Sequence, residues 1–255
     1  MPDSGVLVSD SEEVSEFTIT VVCECYSHLK IIGDALAQLP DFNGNLSWGG
    51  PCKPDLDKKV SNVELVLIVS DKAHLPAAID RWSAYRQAKQ ASLLVHLQDN
   101  EDELAEQIPG LTLPRSCLTS GLISLTHALF TPIIPHGLVC IDWVDTRHLL
   151  VMDGQMVLAE ASGSQPESAI DAAVARLREL ASGRPVLGLQ ASILYGHNTL
   201  KMRQIHGLAS ACKATMEEDG FLFIGAPSLD WPEPGRYEVR IAARVACSPS
   251  LDRRS

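Results

Sequence analysis

The chain is short of basic charge. It carries 21 Lys and Arg against 32 Asp and Glu, a net charge of −11, and a pI near 5.1. Nonspecific binding to nucleic acid or to an anionic membrane surface requires clustered cations, so neither partner is expected. A disulfide framework is missing too: the seven cysteines are scattered and odd in number, which points to a reducing, cytoplasmic setting. The lone Cys23-Glu24-Cys25 has no second pair at zinc spacing and reads as buried cysteines rather than a metal site. No apolar run reads as long enough to insert into a bilayer. The acidic start, MPDSGVLVSDSEEVSE, lacks the basic opening of a signal peptide. The eight histidines show neither His-x-x-x-His nor His-Glu-x-x-His spacing, and no Gly-x-Ser-x-Gly elbow is present. These absences leave no signature of a zinc or serine hydrolase, and no metal is expected.

Apolar residues make up 45% of the 255 positions, enough for a sizeable core. Residues 1–16 read as a flexible lead-in and residues 248–255 as a tail. Between them, residues 17–115 alternate strand and helix. Phe17–Cys23 is β-branched, Leu29–Leu39 shows a helical stripe, and 41–54 is rich in Asn, Gly and Pro and reads as loop. Val63–Val69 is a near-continuous apolar run, as in a strand buried on both faces. A helix over His74–Gln90, a strand over Ser92–Leu97, a short acidic helix over Glu101–Gln107 and the segment Leu111–Leu113 follow. Such alternation predicts right-handed crossovers and a parallel α/β sheet.

Residues 116–131 form one helix, with Leu118, Leu122, Leu125 and Leu129 on a single stripe. Pro132 and Pro135 end it. Residues 132–247 then read as an α+β unit. Strands are expected over 154–159, 185–194, 221–225 and 237–245, with helices over 166–182 and 200–218. Ser164 to Glu167 reads as a capping box. The last strand alternates and reads as half exposed.

The candidate site lies at the start of that unit. Asp142 and Asp145, at spacing i, i+3, share one face if a helix begins there, where the positive end of its dipole favours acids. They could be an acid–base pair, or could work with His148 as the centre of a small-molecule enzyme. They could equally be helix-capping acids. Lys201, Arg203, Arg240 and Arg244 could make a basic face, with a solvated surface as the default reading.

The segment Pro135-His136-Gly137-Leu138, then Cys140-Ile141-Asp142-Trp143-Val144-Asp145-Thr146-Arg147, resembles the junction between the two domains of the FtsZ/tubulin family. There a central helix is followed by a Pro-Gly loop and the motif N-x-D-F-A-D-V-R. Asp142, Asp145 and Arg147 match it, and Cys140 replaces the asparagine. The later segments GQMVLAEASG, ASILYGHNTLKMRQIHGL and FLFIGAPSLDWPEPGRYEVRIAARVA resemble the family's C-terminal domain in order. The resemblance covers Leu113–Ala246 well and Phe17–Leu97 in outline. It implies an FtsZ-like fold: a reduced parallel Rossmann-like sheet, a central helix and an α+β C-terminal domain. In the family, the two acids sit on a loop that enters the nucleotide pocket of the next subunit and positions the attacking water.

The family's GTP cradle is where this sequence departs. Triphosphate binding relies on glycines that let backbone N–H groups approach the phosphates. In place of the first glycine cluster stands Cys23-Glu24-Cys25-Tyr26-Ser27. In place of the second stands Ser70-Asp71-Lys72-Ala73-His74. Leu113-Pro114-Arg115 puts arginine where the family has a base-contacting asparagine, and the central helix is shorter. The expectation is therefore a degenerate, FtsZ-like, bacterial cell-division type of protein, with no cofactor and without its own GTPase activity. It would act by contact with a resident FtsZ or with itself through His136, Asp142, Trp143, Asp145 and Arg147. The alternative is a weak GTP binder that polymerises through a rebuilt pocket.

Overall fold

A computed structural model describes residues 17–23, 46–52, 65–98, 108–133, 137–196, 199–228 and 235–248. The expected helices over 29–39 and 101–107 lie outside the described residues, as do Glu24 and His136. The elements in chain order are β1 (Phe17–Cys23), β2 (Leu46–Cys52), β3 (Leu65–Asp71), α1 (Leu75–Gln87), β4 (Ser92–Gln98) and β5 (Gly110–Pro114). Then come α2 (Leu118–Leu129), β6 (Gly137–Val139), α3 (Trp143–Val151), β7 (Gln155–Gly163), α4 (Pro166–Ala181), β8 (Val186–Tyr195), α5 (Met202–Lys213), β9 (Met216–Pro227) and β10 (Tyr237–Val245).

The strands join in one sheet of order β2-β1-β3-β4-β5-β7-β10-β8-β9-β6. Strands β1 to β5 are parallel to their neighbours, and β5 passes the sheet to β7 by a parallel pairing at Leu111 and Met156. β10 runs antiparallel to both β7 and β8. Residues of opposite parity serve opposite faces, so the sheet separates its packing into layers. Leu65, Leu67, Val69, Leu93 and Val95 pack with the α2 leucines, with Leu149 and Leu150 of α3, and with Met156 and Ala242 of the second half. On the other face Val66, Ile68 and Leu94 meet Ala78 and Trp82 of α1. In the second half, Val157, Ile193, Val239 and Ile241 meet α4 and α5.

The four α2 leucines are buried, none more than 2% exposed, so the central helix is the core of the joint between the halves. With its flanking 3-10 turns, the helical segment Arg115–Ile133 has the length and composition of a membrane span, contrary to the expectation from the sequence. It is mostly buried inside the protein.

Several local expectations are corrected. Residues 41–54 contain a strand, β2, parallel to β1; backbone pairing overrides the Gly-rich sequence. The capping box at Ser164 does not form: the N-cap is Gln165 and no side chain caps it. The helix expected to run to Glu218 ends at Lys213, and Met216–Asp219 instead opens β9 beside β8. β10 is not half exposed, because Ala242 and Arg244 are as buried as Val239 and Ile241. Its second face is covered by α2 and the end of α3.

Candidate functional site

α3 begins as its sequence suggests. Asp142 is extended (φ −85°, ψ 167°), and its Oδ1 accepts the Asp145 N–H at 2.8 Å. That bond satisfies an otherwise orphaned donor of the first turn. Asp142 is exposed and Asp145 half buried. Partial burial, and secondarily the charge of Asp142, push the Asp145 carboxyl above its usual range. Val144 between them is 71% exposed, an apolar side chain presented beside two acids.

The other predicted contact residues are placed differently. Trp143 is half buried and stacks on Phe130, with ring centroids 6.1 Å apart. Arg147 donates from Nη2 to the Lys89 carbonyl at 2.5 Å and so ties α3 to the α1–β4 turn. His148 lies edge-on against Phe221, centroids 4.3 Å apart. His136 is outside the described residues. Asp142 thus caps the helix, Asp145 feels the charges of both Asp142 and His148, and the imidazole rests on a phenyl ring. Among the described residues no three His, Cys, Asp or Glu side chains come together to hold a metal.

Sequence reasoning missed the groups that hold α3 in place. Thr146 is buried and donates its hydroxyl to Gln190 Oε1 at 2.7 Å. Gln190, fully buried on β8, donates from Nε2 to the carbonyls of Ala128 and Leu129, both at 3.0 Å. One amide therefore joins the last turn of the central helix to the middle of α3. At the far end of α3, Arg244 donates to the carbonyls of Leu149, Leu150 and Gly154 at 3.1, 2.8 and 3.1 Å. The guanidinium is fully buried, which holds its pKa down to about 10. Arg244 is thus no part of a basic face. Arg86 of α1 adds a bond to the Val151 carbonyl and a 2.6 Å ion pair with Asp153. Gly154 must be glycine here: its φ is +106°, and a Cβ would stand 2.4 Å from the Val245 carbonyl oxygen. The available signal was a polar residue interrupting an apolar strand, Gln190 in VLGLQASILY and Arg244 in YEVRIAARV.

The opposite end of the sheet holds the second candidate region. In the order β2-β1-β3-β4-β5 the chain reverses direction of travel between β1 and β3. In open α/β sheets ligands bind outside the carboxyl ends of the strands at such a switch point. β3 ends there with Asp71. Its Oδ1 accepts from the His74 N–H at 3.1 Å and lies 2.7 Å from His74 Nδ1. The turn before α1 is therefore closed on a carboxylate. A phosphate would need N–H donors free at that position. Asp71 pairs with Leu97, and Val66 with Ser92. Lys89, which receives Arg147, precedes Ser92, so α3 docks at the end of the parallel sheet opposite Asp71.

This fold is FtsZ/tubulin-like. A mutant FtsZ from M. jannaschii superposes with a TM-score of 0.63 at 10% identity, covering 90% of this chain and 91% of the other. TubZ from Bacillus thuringiensis serovar israelensis, in GDP-form protofilaments, gives 0.63 at 10% identity over 91% and 87%. CetZ from Methanosaeta thermophila gives 0.59 at 9% over 91% and 88%. No protein-family model matches the chain, and no curated protein matches its sequence.

Proposed function

We propose that the chain is an FtsZ/tubulin-like cytoskeletal protein that lacks GTPase activity of its own and acts by filament-type contact. The exposed start of α3, with Asp142, Val144 and Asp145, would dock on the open nucleotide pocket of a resident FtsZ subunit in the cytoplasm. The single observation behind this reading is the asymmetry of the two ends. One presents two acids and an exposed valine on a firmly anchored helix. The other closes its ligand turn with a carboxylate. A subunit with only the first end joins a filament and gives the next subunit nothing to bind, so growth stops.

Calorimetric titration with GTP and GDP tests the closed end. Affinity weaker than about millimolar is expected, because like charge near a triphosphate costs free energy. Micromolar affinity contradicts it. A second reading, self-association into a polymer, is supported by the protofilament form of TubZ and by an M. jannaschii FtsZ dimer among the structural neighbours. Sedimentation velocity of the chain alone, with and without GTP, separates the two: a capping subunit stays small in both.

A further inference from the structure

We propose that the segment Leu251-Asp252-Arg253-Arg254 folds back onto its own chain and fills a cavity at the amino end of β8. This does not rest on the filament reading. The cavity, about 380 Å³, opens between the last turn of α4, the start of β8 and the start of β9. An apolar lining with a few polar groups is the usual make-up of a binding pocket. Here Leu177 and Val186, both buried, and half-buried Met216 supply the apolar floor. Three charged side chains line the cavity as well: Arg178, Arg184 and Glu217. Arg184 is committed, donating to the carbonyls of Ala181 and Leu180 and to Gln155 Oε1. Arg178 and Glu217 are exposed, and neither has an ion-pair partner among the described residues. The cavity thus offers an apolar floor with one uncommitted cation and one uncommitted anion.

What covers it follows from where the chain leaves the sheet. The N–H of Ala246, just past β10, donates to the Pro185 carbonyl at 2.9 Å. Pro185 itself lines the cavity. Cys247 lies in the field of Arg184, another lining residue, and both Cys247 and Ser248 are half buried. The backbone therefore passes beside the opening. The sequence continues Pro249-Ser250-Leu251-Asp252-Arg253-Arg254-Ser255. Leu251, three residues beyond Ser248, is within about 10 Å of extended chain. The order of chemistries matches the cavity: Leu251 for the floor, Asp252 for Arg178, and Arg253 or Arg254 for Glu217. Two arginines against one aspartate make this segment cationic in a chain of charge −11. Exposed ion pairs contribute little, so burial of Leu251 drives the contact and the charges set its direction. The short connection holds the segment at high local concentration, so weak contacts suffice. A separate peptide of the same chemistry, or a second copy, lacks that advantage.

The test is hydrogen exchange read by mass spectrometry on the full chain, at residues 182–187 and 214–217. Leu251→Asp, and separately Arg253→Glu/Arg254→Glu, should speed exchange there about threefold or more while leaving α2 unchanged. Glu217→Arg should do the same. Combined with Arg253→Glu/Arg254→Glu, it should restore the protection, because the pair is then reversed in sign. Unchanged exchange in the Leu251→Asp chain overturns the proposal, as does a charge reversal that restores nothing. Protection in the wild type that falls on dilution also overturns it, by giving the cavity to a second copy.

Discussion

The two ends of the sheet are built to different standards. At the α3 end, side chains from three elements hold one nine-residue helix: buried Gln190 from β8, buried Arg244 from β10 and half-buried Arg86 from α1. At the switch-point end, the Asp71 turn is held by contacts with His74, three residues away, and the histidine is exposed. Buried polar groups that lose a partner cost far more than exposed ones. The anchors of the α3 end are therefore expensive to break, whereas the His74 side of the Asp71 contact is open to solvent.

The largest expected effect breaks the anchored end. Arg244→Ala leaves the carbonyls of Leu149, Leu150 and Gly154 without their donor and should destabilise the fold by about 3 kcal/mol or more, at about 1–3 kcal/mol per orphaned buried acceptor, read by urea denaturation. Leu125→Ala, in the joint beneath, should cost about 2–5 kcal/mol. Gln190→Leu removes the bridge between α2 and α3. It should cost about 2 kcal/mol and speed amide exchange in α3 before it does so in β10.

His127 sharpens the contrast through pH. It is buried on α2, 3.2 Å from the Thr131 hydroxyl, and burial first and Arg240 second lower its pKa from 6.5 to about 4. The unfolded chain then binds more protons between those values. Stability from this group is complete above pH 6.5 and is lost as pH falls toward 4, by up to about 3 kcal/mol. His127→Gln should flatten that slope in denaturation curves taken across the same range. The smallest effect belongs to the turn. His74→Ala should change stability by no more than about 1 kcal/mol, because the histidine side of this pair is exposed.

What the sequence made legible follows from where the physics is local. The α2 stripe could be read because four leucines at helical spacing need only one buried face. Asp142 and Asp145 could be read as a helix start because the cap closes within three residues. Arg244 could not: period-two alternation implies a solvent face, and only tertiary packing puts α3 over it. Nor could the switch at Met216, where pairing with Val186 of β8 ends the helical course and the acidic run bulges out before the next pair at Phe221. Arg147 matched the family motif and Trp143 lay within it, yet their directions depend on Phe130 and Lys89, distant in sequence.

The most direct test of the asymmetry is sedimentation of GTP-driven FtsZ polymer with substoichiometric amounts of this protein. Asp142→Asn/Asp145→Asn serves as control, because asparagine keeps the helix cap while removing charge. Shorter polymers and less pelleted mass with the wild type, and recovery with the double variant, are predicted. Unchanged polymer with the wild type, or equal shortening with the variant, contradicts a capping role for α3.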